Sequence, residues 1–376
     1  MNRKKKIVLI GPVYPYKGGI SHYTGLMYRA LAEEHDVTMV SYKLQYPKLL
    51  FKKEQRDYSN DTFKIEDTNF LINTANPFNW IRSANEIKKL NPDCIIMQWW
   101  HPYFSPCYWT MCKLLKKFKK MFICHNVFPH ERFPMDRFLT KRVLSNGDYF
   151  IVHSKQDETD LKTINPNAVY MRTVIPTFNA FKINNLSKED GRQQLSLEQD
   201  EKILLFFGFV RKYKGLKYLI NALPQIIDAL DNIKLLIVGD FDGDKDTYTS
   251  LIKEMNIESS IEIHDGYIPD LEVEKFFASS DLVVLPYESA TQSGIVQIAY
   301  DFEIPVIVTN VGGLPEVVSN NKTGYVVEAE NTIELATAII RFFQDNKAVS
   351  FRTAISQESK RYSWKEMVKI IESFLF

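Results

Sequence analysis

The stretch KILLFFGFVRKYKGLKYLINALPQIIDALDNIKLLIVGD, residues 202–240, decides the fold class of this chain. An apolar run stops at Gly208, a basic turn leads into an amphipathic segment, and a second apolar run follows. Apolar runs without polar alternation are typical of strands buried on both faces, and the amphipathic segment between them is typical of a crossover helix. The stretch therefore predicts a β-α-β unit of a parallel sheet.

The same alternation continues along the chain in two series. Apolar runs predict strands at 6–11, 36–42, 93–99, 120–126, 148–154, 168–174, 202–208, 233–240, 260–266, 281–286, 304–310 and 324–328. Amphipathic segments predict helices at 18–34, 77–90, 134–146, 155–164, 215–231, 269–280 and 331–344. The polar stretch 177–202 has no strand pattern and predicts the boundary between two domains. We therefore predict an α/β protein with two doubly wound, Rossmann-like domains and a ligand cleft at the carboxyl ends of both sheets.

Composition excludes several classes of protein. The 376 residues are 45% hydrophobic and 25% charged with a net charge of +1, so no excess of positive charge favours nucleic acid. No apolar run is long enough to span a bilayer, and the basic start meets Gly and Pro too early for a secretory signal. The cysteines form no CxxC pair, which favours free buried thiols: Cys94, Cys107, Cys112 and Cys124. We predict a cytoplasmic protein or one at the inner face of the membrane.

Three cationic side chains follow the strand that ends at Gly208. Arg211, Lys212 and Lys214 lie in a turn before the helix that begins near Gly215. A planar guanidinium together with a compact ammonium is the usual means of binding a diphosphate. The alternative is a solvated basic turn. The tight glycine turn at the carboxyl end of a strand favours the functional interpretation.

The stretch PYESATQSGIVQIAY, residues 286–300, gives a second candidate anion site. Thr291, Gln292, Ser293 and Gly294 form a polar, charge-free approach to the start of a predicted helix, where backbone amides favour negative charge. Another glycine pair, Gly312–Gly313, predicts a close backbone approach after the following strand. Glu316 beyond it is as well explained by a helix start as by function.

Strand ends in the first half carry further candidates. Gly18 and Gly19 lie in a loop before a helix, where a ligand could approach the backbone, although a plain turn explains them equally. Trp100 and His101 follow a strand. Tandem aromatics such as Trp99–Trp100 cannot both face one core, and aromatic faces suit the binding of sugar rings. The alternative is that these residues pack at a domain edge. His125 ends the next strand, although a single histidine is more often structural than catalytic.

One segment of the first half points to a membrane. CKLLKKFKKMF, residues 112–122, carries five lysines, which are Lys113, Lys116, Lys117, Lys119 and Lys120. Such a cationic segment could contact anionic lipid, which predicts a peripheral membrane contact through Lys113–Lys120. The alternative is a solvated helix face.

With these motifs in place, the chain resembles the retaining glycosyltransferases of family 4, which have the GT-B fold. The resemblance covers nearly the full length and is densest over 205–325, in FFGFVRKYKG, LLIVGD, GYIPDLEVEKFFASSDLVVLPY and IPVIVTNVGGLPEVVSNNKTGYVV. It implies an acceptor-side domain at 1–185 and a nucleotide-sugar domain at 195–355. It also implies a final helix within 356–376 that crosses back to the first domain. The loop is of an ATQSG type found in a subfamily.

The resemblance implies transfer of a hexosyl group from a nucleotide sugar, with retention of configuration and with neither a cofactor nor a bound metal. The acceptor would be a glycan or a lipid-linked molecule in cell-surface polysaccharide or glycan biosynthesis. Arg211 and Lys214 would neutralise the leaving diphosphate, and His125 would touch the donor sugar. The residues implied to bind the donor are Gly18, Gly19, Glu288, Thr291, Gln292, Ser293, Gly294 and Ile295. The residues assigned to the acceptor are Tyr14, Trp100 and His101.

The sequence departs from the family pattern at three positions. The family has a glutamate three residues before the loop glycine and another five after it, and these positions are Thr291 and Ala299 here. Gln297 lies about 200° around the helix from Ala299 and should face elsewhere. The family's arginine directly follows the strand-end glycine, where this chain has Phe209. Two alternatives stay open: a catalytically silent nucleotide- or sugar-binding protein, and a nucleotide-sugar epimerase or hydrolase. Neither half has the fingerprint of an NAD oxidoreductase.

Overall fold

The structure is a computed structural model that describes residues 3–59, 61–129, 132–178 and 180–375. The chain divides into two compact units. The first contains Met1–Val174 together with Ser363–Phe376, and the second contains Ile175–Tyr362. The sequence analysis ended the first domain at 185 and began the last segment at 356.

The first unit is built on one parallel sheet in the order β3-β2-β1-β4-β5-β6-β7. Its strands are β1 (Lys6–Ile10), β2 (Asp36–Leu44), β3 (Asn69–Asn73), β4 (Cys94–Trp99), β5 (Lys119–Cys124), β6 (Tyr149–Val152) and β7 (Val169–Arg172). Its helices, apart from one at the end of the chain, are α1 (Gly19–Glu34), α2 (Pro77–Leu90), α3 (Ser105–Leu114), α4 (Asp136–Leu144) and α5 (Lys155–Ile164). The strand order reverses between β1 and β4, which is the point where doubly wound sheets bind ligands.

The second unit repeats this plan with the order β10-β9-β8-β11-β12-β13, again with parallel pairs. Its strands are β8 (Lys202–Phe207), β9 (Ile233–Gly239), β10 (Ile261–Asp265), β11 (Leu282–Leu285), β12 (Val306–Thr309) and β13 (Gly324–Val327). Its helices are α6 (Lys188–Gln194), α7 (Leu216–Ala229), α8 (Lys245–Glu254), α9 (Asp270–Ser279), α10 (Gly294–Asp301), α11 (Leu314–Val317), α12 (Thr332–Gln344) and α13 (Ala348–Glu358). The order reverses between β8 and β11, so the predicted fold class is confirmed.

The chain ends with α14 (Trp364–Leu375), which belongs to the first unit. Trp364 lies edge-on to Tyr23 of α1, with ring centroids 5.0 Å apart. Near its other end, Glu372 approaches His35 at 3.2 Å. The last segment therefore packs against α1, although it is far from it in sequence.

Local signals explain why many predicted elements match the structure to within a few residues. The side chain of Asn76 accepts hydrogen bonds from the N–H groups of Phe78 and Asn79, and Asn91 ends α2 in the left-handed conformation. These are the usual start and stop signals of a helix, and they fix α2 at the predicted bounds. The strand that sequence analysis did not predict is β3, a short edge strand whose first residues are exposed.

The predicted linker 177–202 is not a simple polar connection, because it contains α6 and packs on α9. Glu274 of α9 is completely buried, and its carboxylate accepts hydrogen bonds from the backbone N–H groups of Asn184 and Leu186 at 2.7 and 3.0 Å. The guanidinium of Arg192 donates to the backbone oxygens of Ser279 and Glu201. These are long-range contacts, so a local pattern could not reveal them.

The lysine-rich segment 112–122 is not one helix face. It contains the end of α3, a turn and the start of β5, so its lysines do not share a side of one element. Lys120 is buried, and its ammonium donates to the carbonyl oxygen of Phe118 at 2.8 Å and lies 3.3 Å from Asp148. Lys113, Lys116, Lys117 and Lys119 are exposed. Among the described residues, no helix has the length and apolarity needed to cross a membrane.

Candidate functional site

The predicted site residues lie at or beside the points where the strand order reverses. In the second unit, the turn with Arg211 and Lys214 follows β8, and the loop 286–293 follows β11. In the first unit, the loop with Gly18 follows β1, and Trp100 and His101 follow β4. His125 follows β5, the next strand in that sheet. Each unit thus gathers its candidates at the carboxyl edge of its own sheet.

Gly208, Lys214 and Ile295 lie together in the second unit. A methyl group placed on Gly208 would lie 3.0 Å from Nζ of Lys214 and 3.8 Å from Cδ1 of Ile295. The ammonium therefore lies over the end of β8 and beside the first turn of α10. This geometry combines a positive charge with the amide end of a helix, and both favour an anion.

The ammonium of Lys214 is held in a poorly solvated place. It lies 5.6 Å from the centre of the Tyr287 ring, and that ring is buried. Burial, together with the positive charge of Arg211, lowers the pKa of Lys214 to about 8. A bound anion would raise the pKa of Lys214 again, because a nearby negative charge favours the charged form of lysine.

Arg211 has a partner in the structure. Its Nη1 donates to the carboxylate of Asp242, in the loop after β9. The side chains of Arg211 and Asp242 are 45% and 32% exposed. Partly exposed pairs of this kind contribute only about 0–1 kcal/mol, so a dianion can compete with Asp242 for the guanidinium.

Two backbone contacts attach the loop after β11 to the basic turn. The N–H of Glu288 donates to the carbonyl oxygen of Tyr213 at 2.6 Å. Gly215 has φ +65°, and a methyl group there would lie 1.9 Å from the carbonyl oxygen of Pro286. Glycine is therefore required at 215, both for the left-handed backbone and for the close approach.

The helix start at 293–295 is the predicted one. Ser293 caps α10, and its hydroxyl accepts a hydrogen bond from the N–H of Ile295 at 3.3 Å. Thr291, Gln292, Ser293, Gly294 and Ile295 are half-buried. Beyond them α10 is buried from Val296 to Tyr300.

The glycine pair after β12 packs against the backbone of the loop that precedes α10. Gly312 has φ +51°, and a methyl group there would lie 1.5 Å from the carbonyl oxygen of Ala290. The N–H of Gly313 donates to the carbonyl oxygen of Thr291 at 2.8 Å. The close approach that the sequence predicts is made to the chain's own backbone. In the first unit, by contrast, a methyl group on Gly18 or Gly19 would meet nothing within 4 Å.

The positions that depart from the family pattern are explained in part. Glu288 forms an ion pair with Lys217 of α7 at 3.0 Å, so its carboxylate is already balanced by a cation. Ala299 and Gln297 are both buried, although they lie on different sides of α10. Gln297 therefore does not turn to solvent, and its Oε1 finds no hydrogen-bond partner among the residues that the structure describes.

His125 is buried and held by a fixed partner in the first unit. Its Nε2 lies 2.7 Å from Oε1 of Gln98, which is completely buried in β4. An amide oxygen only accepts hydrogen bonds, so Nε2 of His125 carries the proton. Burial, and secondarily the neighbouring His153, lowers the pKa of His125 well below its ordinary value. The imidazole is therefore neutral at pH 7.

A second buried histidine belongs to the same group. Nδ1 of His153 lies 2.9 Å from the carbonyl oxygen of Thr173, so it donates, and its Nε2 accepts from the hydroxyl of Tyr23 at 3.1 Å. The Tyr23 ring lies edge-on to His125, with centroids 4.7 Å apart. Burial lowers the pKa of His153 to about 4. The group therefore holds two neutral imidazoles in a defined orientation.

Trp100 and His101 lie in an aromatic cluster at the end of β4. Nε1 of Trp100 donates to the hydroxyl of Tyr46 at 2.9 Å, and its ring lies 4.3 Å from that of Phe104. His101 accepts at Nδ1 from the N–H of Tyr103, and burial lowers its pKa. Both Trp99 and Trp100 pack against the same core, so the expectation that tandem tryptophans must separate was wrong. Trp100 follows the last residue of β4 and is not bound by the strand's alternation.

Tyr14 lies in the loop between β1 and α1. It is half-buried and lies edge-on to Tyr58, with centroids 6.3 Å apart. Tyr58 is 66% exposed. Tyr14 lies close to Gly18 and Gly19 in the sequence, and the exposed Tyr58 beside it offers an accessible hydroxyl.

The sequence analysis missed two partner residues. Gln98 is the one strongly polar residue at the end of the apolar run CIIMQW, and a polar side chain in such a run signals a buried hydrogen bond. Asp242 lies in the acidic loop after β9, and its pairing with Arg211 is long-range. Within the described residues, no group of three or more His, Cys, Asp and Glu side chains could hold a metal ion. The four cysteines are free and buried, as predicted.

Known proteins resemble this chain in sequence and in fold. Residues 187–362 match the family model described as glycosyl transferases group 1, and this range lies within the second unit. An uncharacterized glycosyltransferase of Methanocaldococcus jannaschii is 32% identical over 196 residues, which are 49% of this chain and 48% of that protein. The chain thus spans about half the length of the curated relatives it matches.

Two solved structures share the fold over almost the whole chain. The sucrose-phosphate synthase of Thermosynechococcus elongatus superposes with a TM-score of 0.76 and 20% identity, covering 99% of this chain and 98% of that one. The Anabaena protein HepE in complex with UDP and glucose superposes with a TM-score of 0.75 and 18% identity, covering 99% of both chains. The two Rossmann-like units of this chain therefore form a GT-B-type fold.

Proposed function

We propose that this chain, with its GT-B fold and its group 1 domain, is a retaining glycosyltransferase of family 4. It transfers a hexosyl group from a nucleotide sugar to a glycan or lipid-linked acceptor in the synthesis of a cell-surface polysaccharide or glycan. The observation that carries the proposal is that the Lys214 ammonium lies against Gly208 at the end of β8, where the side chain of Ile295 from the first turn of α10 also approaches. This arrangement suits the diphosphate of a nucleotide sugar.

In this proposal the second unit holds the donor. Lys214 and Arg211 neutralise the charge that develops on the leaving diphosphate, and the amides of Gly294 and Ile295 bind its distal phosphate. Arg211 exchanges Asp242 for the phosphate when the donor binds. Two cationic side chains supply the charge that a divalent ion supplies elsewhere, so we propose transfer without a metal.

The remaining donor contacts are assigned to the polar loop. Thr291, Gln292 and Ser293 offer hydroxyl and amide groups at the same helix start. Glu288 is assigned to the ribose, and it must share its carboxylate with Lys217 to do so. The base is tested first with UDP sugars, because the Anabaena neighbour was solved with UDP and glucose.

The first unit supplies the acceptor side in the proposal. Trp100 offers an aromatic ring, and Tyr14 and His101 offer polar groups in the same unit. His125 is a neutral imidazole, so it contributes a hydrogen bond to the donor sugar and no charge. Gly18 and Gly19 leave their backbone open to a phosphate.

The acceptor's proton has a destination in this scheme. The bond from the anomeric carbon to the phosphate oxygen breaks, and the new bond to the acceptor oxygen forms on the same face. The leaving phosphate oxygen takes the acceptor's proton, so the reaction needs no carboxylate. Retention is checked by the anomeric configuration of the product.

A donor panel tests the proposal. We expect Lys214→Ala and Arg211→Ala to lower turnover by about 10²–10³-fold, because each removes a group that stabilises the leaving charge. The measurement is the release of nucleoside diphosphate, without and with a chelator of divalent ions. Lys212→Ala is the matched control, since Lys212 is exposed in the same turn, and it should leave turnover unchanged.

The outcomes separate the alternatives. Equal turnover in the wild type and in Lys214→Ala would contradict the proposed role of the basic turn. Nucleotide binding without turnover across the panel would favour a silent binding protein. Free sugar or an epimerised donor formed without acceptor would favour a hydrolase or an epimerase.

A further inference from the structure

The loop between β2 and β3 carries an apolar tip, which we define as Leu49, Leu50 and Phe51. These side chains are 88%, 62% and 39% exposed. Single exposed apolar residues are normal on protein surfaces, but a consecutive run of this size marks an interaction site. The tip adds little to the core, so the fold alone does not explain it.

Hydrogen bonds fix the two ends of the loop that carries the tip. Gln55 donates to the carbonyl oxygen of Tyr46 at 2.8 Å and accepts from the N–H of Tyr46 at 3.1 Å. Next to it, Arg56 donates to the carbonyl oxygen of Lys43 at 2.8 Å and to the hydroxyl of Tyr16 at 3.0 Å. The loop between residues 46 and 55 is therefore closed by hydrogen bonds between its two ends.

The tip itself is a defined turn. The N–H groups of Leu50 and Phe51 donate to the carbonyl oxygen of Pro47 at 3.0 and 3.1 Å. The Phe51 ring stacks on that of Tyr46, with centroids 5.9 Å apart. The two leucines therefore point away from an anchored aromatic pair, in a structure that presents them outward.

A basic collar surrounds the tip. We define it as Lys48, Lys52 and Lys53, which flank the apolar run directly and are exposed. Between 43 and 56 the chain has five cationic side chains and one acidic residue, Glu54. An apolar tip in a basic collar matches a bilayer with anionic headgroups, where apolar groups enter the interface and lysines meet phosphates.

We propose that the apolar tip and the basic collar bind the surface of a membrane that contains anionic lipid. A second copy of this chain is a poor occupant, because pairing two tips would bring two basic collars together. The anionic bilayer satisfies both features at once.

This surface replaces the one predicted from the sequence. The segment Lys113–Lys120 ends α3 and begins β5, so it lies at the amino edge of the first sheet, while the tip follows the carboxyl end of β2. Because the strands of the sheet are parallel, the lysine-rich segment and the tip lie at opposite ends of the strands. Among the apolar residues of the lysine-rich segment, Leu115 and Phe118 are buried and Leu114 is half-buried, so the segment exposes no apolar side chain fully.

Co-sedimentation with vesicles tests the proposal. We expect the full chain to bind vesicles of phosphatidylcholine mixed with phosphatidylglycerol and to bind pure phosphatidylcholine much less. Leu49→Ser with Leu50→Ser should lower the partition coefficient by about ten-fold, because two inserted side chains are lost. Lys48→Glu with Lys52→Glu should lower it by about ten-fold or more, because attraction becomes repulsion.

Matched controls distinguish binding through this surface from nonspecific binding to vesicles. Ile333→Ser with Val349→Ser removes two apolar side chains that are 71% and 77% exposed in the second unit, and it should leave binding unchanged. Lys113→Glu with Lys116→Glu changes the same charge at the other edge of the sheet and should have little effect. Circular dichroism confirms that each variant is folded.

Several results would overturn the proposal. The wild type could fail to bind anionic vesicles, or the tip and collar variants could bind as well as the wild type. Binding could also be lost only in Lys113→Glu with Lys116→Glu. A dimer in light scattering that disappears in Leu49→Ser with Leu50→Ser, without vesicle binding, would assign the tip to self-association instead. None of these measurements depends on sugar transfer, so the proposed function stands or falls separately.

Discussion

At Lys214 burial and the neighbouring guanidinium act in the same direction, because both disfavour a positive charge. Its pKa of about 8 means that the ammonium is charged at pH 7 and neutral well above pH 8. A bound diphosphate favours the charged form and raises this pKa. Under the proposed function, donor binding is therefore coupled to proton uptake at this residue.

We predict that nucleoside diphosphate binding at about pH 9 takes up close to one proton, because free Lys214 is mostly neutral there and bound Lys214 is charged. Calorimetry in two buffers with different ionisation enthalpies measures the uptake. At about pH 6.5 the uptake should vanish, since Lys214 is already charged. Lys214→Met should remove the uptake and Lys212→Ala should keep it. Uptake that survives in Lys214→Met would assign the proton to another group.

His125 depends on Gln98, because its Nε2–H has that amide oxygen as its partner in the core. We predict that Gln98→Leu destabilises the protein by about 1–3 kcal/mol, the usual cost of leaving a buried donor without a partner. Urea denaturation measures this loss. The ¹⁵N shifts of His125 should report a changed tautomer population.

Gln98→Glu is the matched variant, because its carboxylate still accepts the His125 N–H. We expect it to keep the Nε2–H tautomer and to raise the pKa of His125, since a nearby negative charge favours the imidazolium. An unchanged tautomer and full stability in Gln98→Leu would show that other contacts orient the ring.

At the scale of elements, the helix start at α10 is positioned by two neighbouring turns. Gly215 packs against Pro286, and Gly312 packs against Ala290, so backbone from β8 and β12 fixes both ends of the loop 286–290. The charge-free residues that follow it, 291–294, can then offer polar groups at the start of α10. The shape of the loop is set by close backbone packing and not by its own sequence.

We predict that Gly312→Ala moves this loop and weakens nucleotide binding. The added methyl group would overlap the carbonyl oxygen of Ala290, and φ +51° adds about 1–2 kcal/mol of left-handed strain. Thermal unfolding with and without UDP measures both effects. Gly243→Ala is the control: its φ is also positive, at +99°, but a methyl group there meets nothing within 4 Å. Equal nucleotide shifts in the two variants would contradict the support role of Gly312.

At the scale of the whole molecule, one buried group in each unit couples stability to pH, and the two couplings have opposite signs. In the first unit His153 has its pKa lowered to about 4 by burial. The unfolded chain binds more protons than the folded unit between about pH 4 and 6.5, so stability falls as the pH falls through this window. In the second unit burial raises the pKa of Asp301 to about 8. The folded unit then binds more protons between about pH 4 and 8, so stability rises as the pH falls.

We predict that lowering the pH from about 7 to 5 weakens the first unit and strengthens the second, by up to about 1.4 kcal/mol per pH unit for each group. Hydrogen exchange of the amides in β6 and β11, corrected for the intrinsic rate, measures each unit separately. Asp301→Asn should remove the gain in the second unit and leave the loss in the first. Parallel changes in both units would contradict the opposite signs.

Much of the fold was predictable because its signals are local. Helix α2 has a capping Asn76 and a left-handed Asn91, and the buried strands read as apolar runs. The edge strand β3 and the helices α3, α6, α8 and α13 were missed. The strand has little apolar pattern, and α6 lies in a polar stretch. The positions of Arg211, Lys214 and Ser293 were also predictable, since glycine turns at strand ends mark the reversal points.

The sequence by itself determined the class of the protein: two series of buried strands and crossover helices, with polar and basic residues at the strand ends. Those properties depend on neighbours within a few residues. Only the tertiary structure decided that Gln98 orients His125, that Asp242 holds Arg211, and that Gly312 supports Ala290. It also showed that Leu115 and Phe118 of the lysine-rich segment are buried, whereas Leu49 is exposed. The reason is physical: burial, partner choice and pKa depend on what lies beside a residue in space, and residues far apart in the chain supply those neighbours.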